Sequence, residues 1–186
     1  MTEQDRITSK LAVPYHLTYG RYKRLKITLD NDGRVLAFAS KRISIREIEN
    51  FIEEHISWIE KHQKKILATT KLEYESVEEQ KRKIKELKAW ANAFLAEYDG
   101  LKPKRVTIKH MSSRWGSCSS SGNISLNYFL SELDEPLREY VFIHELSHLY
   151  QMNHSPLFWS KVGERCPDYK SRRKALKQYR LPQKPS

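Results

Sequence analysis

The sequence predicts an α+β protein, with a small, mostly antiparallel sheet and helices packed against it. Apolar residues alternate with polar ones at several places between residues 13 and 40, which is the period of half-buried strands. After residue 44 they recur at helical spacing over longer stretches. The chain has 186 residues, enough to bury a core without a disulfide or a structural metal.

The first predicted element is a β-hairpin. An Asn-Asp-Gly run at 31–33 is typical of a tight turn and separates two alternating segments. The inward positions on the two sides of this turn are Leu25, Ile27, Leu29, Val35, Ala37 and Ala39.

Two capping patterns predict the helices that follow. Ser44 with Glu47 is a capping box, and the apolar spacing after it leaves open one helix or two helices broken near His55. Ser76 with Glu79 repeats the pattern and predicts a long helix that stops at 99–100, Asp-Gly. We expect the domain boundary there, between an N-terminal hairpin and helical lobe, residues 1–100, and a second lobe, residues 101–186.

The second lobe reads as short strands followed by helices. The spacing predicts a strand over 106–110, a Ser/Gly-rich loop, and another strand over 124–127. Pro136 suits the first turn of a helix, and Ser155 followed by Pro156 predicts the start of the next one. A basic helix is expected to close the chain.

Composition excludes some classes of protein. The longest apolar run is Val35–Ala39, far short of the ~20 residues of a spanning helix, so no membrane partner is expected. The acidic N-terminal run does not resemble a secretory signal, and Cys118 and Cys166 form no CxxC pair. A cytoplasmic location with reduced thiols is the resulting expectation.

Charge points to anionic partners without naming one. The formal net charge is +11, and from Lys161 onward nine basic residues face two acidic ones. A basic C-terminal segment of this kind favours nucleic acid, nucleotides or acidic protein. A solvated helix face that keeps the protein soluble explains it equally well.

The motif that carries chemistry is His-Glu-Leu-Ser-His at 144–148. Residues four apart on a helix project side by side, so His144 and His148 can hold one metal ion, with Glu145 beside it. The motif falls within a predicted apolar helix, where burying these groups without a metal is costly. We predict a single zinc ion per chain and Glu145 as the general base toward an attacking water.

The third zinc ligand has two candidates. His154 follows the motif by six residues and suits this role if the helix ends near Met152, with Asn153 in the left-handed conformation that terminates helices. Glu164, on the following helix, is the alternative.

Further site residues are less well determined by the sequence. The candidates for stabilising an oxyanion are Arg114, Tyr150, Tyr169 and Arg172. Trp115 in the loop before the motif could be a substrate contact or a core residue. Phe158 and Trp159 are expected to pack in the core.

Four segments are distinctive: SRWGSC at 113–118, GNISLN at 122–127, HELSHLYQMNHSPLFW at 144–159 and PDYKSRRKAL at 167–176. Together they resemble the YgjP-like metal-dependent hydrolases, which are zinc metallopeptidases related to SprT and WLM domains. The resemblance implies a minimal zincin-like core, zinc held by His144, His148 and His154, and Glu145 as general base. Arg114, Trp115 and Tyr169 are the substrate-binding candidates.

The resemblance leaves the substrate open. It implies a metallopeptidase acting on a peptide or protein, and the alternative is a nucleotide pyrophosphatase that hydrolyses nucleoside triphosphates. A third hypothesis is a nucleic-acid-associated module that binds through the basic C-terminal segment. The chain departs from longer zincin motifs, because Gln151 stands where those motifs carry glycine and no methionine follows Met152.

Overall fold

The computed structural model describes residues 2–182, and the contacts divide the chain into two compact units that meet in sequence at Thr69 and Thr70. Both units combine strands and helices, and the predicted α+β class is confirmed. Within the described residues, no helix has the length and apolar composition needed to cross a membrane.

The first unit is a four-stranded sheet with two helices. Its elements are β1 Thr2–Ile7, β2 Pro14–Tyr19, β3 Lys26–Leu29, β4 Val35–Ala39, α1 Ile45–Glu54 and α2 Ile56–Leu67. The strand order is β1-β2-β4-β3, and the predicted hairpin is the antiparallel pair of β3 and β4. The central pair, β2 and β4, is parallel.

The first helix of this unit, α1, begins as the capping pattern predicts. The Ser44 hydroxyl accepts from the Glu47 N–H at 3.3 Å, and the Glu47 carboxylate accepts from the Ser44 N–H at 2.9 Å. The apolar stretch forms two helices, α1 and α2, which break at His55. Ile48 and Ile52 are fully buried with the sheet residues, and burial of each such side chain stabilises the fold by about 1.5–3 kcal/mol.

The second unit contains the remaining elements. They are β5 Thr70–Lys71, α3 Val77–Glu97, β6 Arg105–Lys109, β7 Gly116–Cys118, β8 Asn123–Asn127, a 3₁₀ helix Tyr128–Glu132, α4 Glu135–Ser147, α5 Pro156–Arg165, α6 Tyr169–Leu176 and β9 Tyr179–Arg180. A three-stranded sheet has the order β6-β8-β7, so β7 lies at an edge. β6 and β8 are parallel, β7 and β8 antiparallel.

Helix α4 lies at the centre of the second unit. Its Phe142 and Leu146 are fully buried in one core with Leu126 of β8 and Phe158 of α5. Leu87 and Ala91 of α3 belong to this same core. The division therefore falls before α3, at residues 69–70, whereas the sequence suggested residues 100–101, because the apolar face of α3 packs with the elements that follow it.

Candidate active site

Helix α4 brings the first two histidines together at its C-terminal end. The regular helix ends at Ser147, and the His148 N–H donates to the Glu145 carbonyl at 3.2 Å in a tighter final turn. The rings of His144 and His148 are then 5.0 Å apart between centroids. The spacing of four residues thus acts as the sequence predicts.

A tight turn supplies the third histidine. Helix α4 ends at Ser147 and not near Met152, as the sequence suggested. Asn153 does not adopt the expected left-handed conformation, because among the described residues only Ala12 and two glycines have positive φ. Instead, the Asn153 side-chain oxygen accepts from the Gln151 side-chain amide at 2.9 Å and from the Ser155 N–H at 3.2 Å. These bonds reverse the chain into α5 and carry His154 back over the end of α4.

The three imidazole rings form a nearly equilateral group. The His154 ring centroid lies 5.0 Å from that of His144 and 4.9 Å from that of His148. One ring nitrogen from each histidine lies within 4.8 Å of the other two. The other candidate ligand, Glu164, is exposed and its carboxylate accepts from the Lys161 ammonium at 2.9 and 3.0 Å.

Two of the donor atoms have the spacing that a tetrahedral metal ion requires. The Nε2 atoms of His144 and His154 are 3.1 Å apart, close to the ~3.3 Å between two nitrogens that bind zinc at about 2.0–2.1 Å in tetrahedral geometry. Nδ1 of His148 lies 3.1 Å from the Gln151 carbonyl oxygen. With the proton on Nδ1, this bond leaves the Nε2 lone pair of His148 available to a metal.

The protein environment favours the neutral imidazole at His144 and at His148. Burial, followed by the charges of His148 and His154, lowers the pKa of His144 to about 3. Burial also lowers the pKa of His148. Because metal ligation requires the unprotonated nitrogen, the site disfavours the protonated form that would compete with a metal.

Glu145 faces a small cleft beside these histidines. The cleft has a volume of ≈ 260 Å³, and among its lining residues are Arg114, Trp115, Gly116, His144, Glu145 and Leu176. The Glu145 side chain is buried, and burial raises its pKa to about 8 although the Arg114 guanidinium opposes this shift. A cation bound at the histidines would lower this pKa and favour the carboxylate that a general base needs.

Gly116 of β7 makes room for Glu145. A Cβ at this position would lie 2.6 Å from Cγ and from Oε1 of Glu145 and 2.8 Å from its Cδ. The backbone of the edge strand therefore approaches the Glu145 carboxylate more closely than it could if residue 116 carried a side chain. Sequence reasoning missed this function, although a glycine at the end of the Arg-Trp-Gly run was a signal that could have been followed.

We expect Gly116→Ala to lower kcat by up to about 100-fold, because a shift of about 1 Å in a catalytic group can cost this much. The histidines are untouched, so metal content measured by elemental analysis should stay at the wild-type level. Gly163→Ala on α5 is the matched control, since a Cβ there would meet its nearest neighbour, Tyr169, at an ordinary 3.7 Å. Equal activity of the two variants would contradict the role given to Gly116.

Aromatic side chains form the floor of the histidine group. Phe158 is fully buried, and its ring centroid lies 4.9, 4.5 and 4.8 Å from those of His144, His148 and His154. Trp159 stacks on His154 at 5.7 Å. Both residues pack as the sequence predicts, and what they pack against is the candidate metal site itself.

The structure separates the candidates for substrate binding and oxyanion stabilisation. Arg114 and Trp115 line the cleft. Tyr169 stacks on Trp159 at 5.3 Å, while the Tyr150 hydroxyl accepts from the Leu101 N–H at 2.7 Å. Arg172 is a structural clamp. Its guanidinium donates to the Pro136 carbonyl and to the carboxylates of Glu139 and Asp168.

Comparison with known proteins gives two matches. A family model described as "YgjP-like, metallopeptidase domain" matches residues 23–87 and 77–179. The crystal structure of the metallopeptidase zymogen of Pyrococcus abyssi abylysin is 26% identical in sequence with a TM-score of 0.36, and the match covers 53% of this chain and 99% of that one. No curated protein matches the chain significantly.

Proposed function

The chain belongs to the YgjP-like family of metallopeptidase domains, and from this premise we propose that it is a zinc-dependent peptidase. His144, His148 and His154 would hold the zinc, and Glu145 would be the general base. The observation that carries the proposal is the convergence of three imidazoles, one of which, His144, lines a cleft together with the buried carboxylate of Glu145. Three nitrogen ligands leave the fourth position of a tetrahedral zinc site open, as a catalytic site requires.

The residues divide the reaction between them. Bound zinc supplies Lewis-acid polarisation of the scissile carbonyl and lowers the pKa of water toward about 7. Glu145, buried and held against Gly116, accepts the proton of the attacking water at its carboxylate. It then delivers a proton to the amine that leaves when the peptide bond breaks. Burial supports this second step, since it raises the pKa of Glu145 and so stabilises the protonated acid.

Arg114 is the proposed oxyanion-stabilising group. Its side chain is exposed and lines the cleft, and it makes no ion pair among the described residues. A guanidinium with free N–H donors can bind negative charge that develops on the attacked carbonyl oxygen. The other candidates are engaged in packing or in bonds that hold neighbouring elements.

The edge strand β7 is the proposed site for the peptide backbone. It pairs with β8 on one side only, and its first residue, Gly116, lines the cleft. An extended peptide can add to a sheet edge through main-chain hydrogen bonds. Such a peptide would run beside Gly116, which lines the same cleft as Glu145.

Removal and return of the metal test the proposal. We expect the zinc-loaded protein to cleave a denatured protein or a peptide library, to lose this activity after treatment with a chelator, and to regain it with Zn²⁺. Mg²⁺ should not restore activity, because it prefers oxygen ligands in octahedral geometry over three imidazoles.

A panel of nucleoside triphosphates, assayed in parallel, separates the peptidase from the alternative. Zinc-dependent release of pyrophosphate without any peptide cleavage would overturn the peptidase proposal and would support the nucleotide pyrophosphatase. Peptide cleavage that survives complete metal removal would overturn the zinc mechanism.

A further inference from the structure

Two loops of the first unit lie side by side at one end of its sheet. Because β2 and β4 are parallel, their C-terminal ends lie at the same end of the sheet. The loop after β2, residues 20–25, and the loop after β4, residues 40–44, therefore both begin there. Tyr19 lies opposite Ala39 in the register, and the Gly20 N–H donates to the Ala39 carbonyl at 3.0 Å. This bond holds the starts of the two loops together.

The two loops line an open basic pocket of ≈ 960 Å³. We use the term basic pocket for the cavity lined by Tyr19, Gly20, Arg21, Tyr22, Lys23, Ser40, Lys41 and Arg42. Four of these residues are cationic and none is acidic. The pocket belongs entirely to the first unit.

The four cations are available to a ligand. Arg21, Lys23, Lys41 and Arg42 are exposed, and within the described part of the chain they make no ion pair. The nearest acid along the chain is Glu47, whose carboxylate is already bound to the Ser44 N–H and hydroxyl. Four like charges around one cavity repel each other, and an anionic ligand relieves this repulsion.

Two tyrosines give the pocket aromatic walls. The Tyr22 ring lies directly over the α-carbon of Gly20, since a Cβ there would meet the ring at 2.7 Å. On another side it contacts Phe38 edge to face, with 5.5 Å between ring centroids. Tyr22 is thus held as part of the wall, and Tyr19 at the end of β2 supplies a second ring.

From this combination we propose that the basic pocket binds single-stranded nucleic acid. The Arg and Lys side chains would bind successive phosphates, and the tyrosine rings would stack on unpaired bases. A duplex keeps its bases stacked inside and would use only the cations, and an acidic peptide would not use the ring faces. The pocket is a different surface from the basic C-terminal segment, and the proposal does not depend on the peptidase activity.

The proposal predicts a defined salt dependence. For single strands, log K falls with log salt concentration by about 0.7 for each phosphate contact, so four contacts give a slope of about −2.8. Between 50 and 200 mM salt the affinity should fall about 50-fold. The measurement is fluorescence anisotropy of the full chain with labelled 12-nucleotide DNA and RNA single strands, which also shows whether the sugar matters.

Three variants test where the strand binds. We expect the pair Arg21→Glu and Lys41→Glu to weaken binding at least tenfold and to flatten the slope by about 1.4. The matched control is Lys170→Glu with Lys174→Glu, which makes the same charge change at exposed positions of α6. Tyr22→Ala should weaken binding about 5- to 100-fold, as loss of a stacked base does, and should leave the slope unchanged.

Several outcomes would overturn the proposal. They are an equal loss in the α6 control pair, an unchanged affinity in Tyr22→Ala, equal affinity for a duplex of the same sequence, and displacement of the strand by a poly-glutamate peptide at equal charge concentration. Circular dichroism and thermal unfolding of each variant show whether it is folded, and a folded Tyr22→Ala variant with wild-type affinity suffices to reject the role of stacking.

Discussion

Replacing Glu145 by Gln is expected to lower kcat for peptide hydrolysis by roughly 10²–10⁴-fold, the contribution of a general acid–base group. The amide has nearly the shape of the carboxylate, and so it fits against Gly116, but it cannot accept a proton from water. The candidate metal ligands are three histidines, and Glu145 is not among them. The variant should therefore still bind one zinc ion per chain.

The measurement is single-turnover cleavage of a peptide substrate together with zinc content by elemental analysis. Thermal unfolding serves as the control for folding, and the midpoint should not fall, because the neutral amide is less costly to bury than a carboxylate. Turnover close to the wild-type rate would show that another group takes the proton. A loss of zinc along with activity would mean that Glu145 acts on the metal and not on water.

Replacing His154 by Ala is expected to weaken zinc binding by roughly 10²–10³-fold and to abolish turnover at limiting zinc. A structural zinc ion contributes about 10–16 kcal/mol through four ligands, or about 2.5–4 kcal/mol for each ligand. His148→Ala should have an effect of the same size, since it also removes one imidazole of the same three-histidine group. Competition with a chromophoric zinc chelator measures the affinity.

Glu164→Gln is the matched comparison, because it removes the other candidate third ligand. Its carboxylate is exposed and bound to Lys161, so we expect unchanged zinc affinity and unchanged turnover. If Glu164→Gln lost zinc and His154→Ala kept it, the assignment of the third ligand would be reversed. Loss in both variants would point to a ligand set that rearranges when the metal binds.

Some elements were predictable because their causes are local. The capping box at Ser44 starts α1, the Ser76 hydroxyl caps α3 by accepting from the Glu79 N–H, and the turn at 31–33 joins β3 and β4. Strands β1 and β7 were missed, since the first is polar and the second is a three-residue edge segment inside a Ser/Gly-rich loop. Their strand conformation depends on pairing with a distant neighbour, and a short window of sequence carries no such information.

The position of α3 shows a second limit. Its apolar spacing predicts a helix with one buried face but does not say which neighbour covers that face. Leu87 and Ala91 pack in the core of the second unit, which moves the boundary to Thr69 and Thr70. The direction of strand pairing is a similar case. The alternation of apolar and polar residues predicts a strand, but whether that strand pairs in parallel, as β6 and β8 do, depends on how the chain connects the two strands.

For the candidate active site, local sequence was sufficient where helix geometry alone sets the distance between side chains. His144 and His148 are neighbours because four residues make about one helical turn. The return of His154, the close approach of Gly116 to Glu145, the Phe158 floor and the basic pocket of the first unit all required the tertiary structure. Each of them joins segments that are distant in sequence or separated by a turn, and packing of the whole unit sets the distances between such segments.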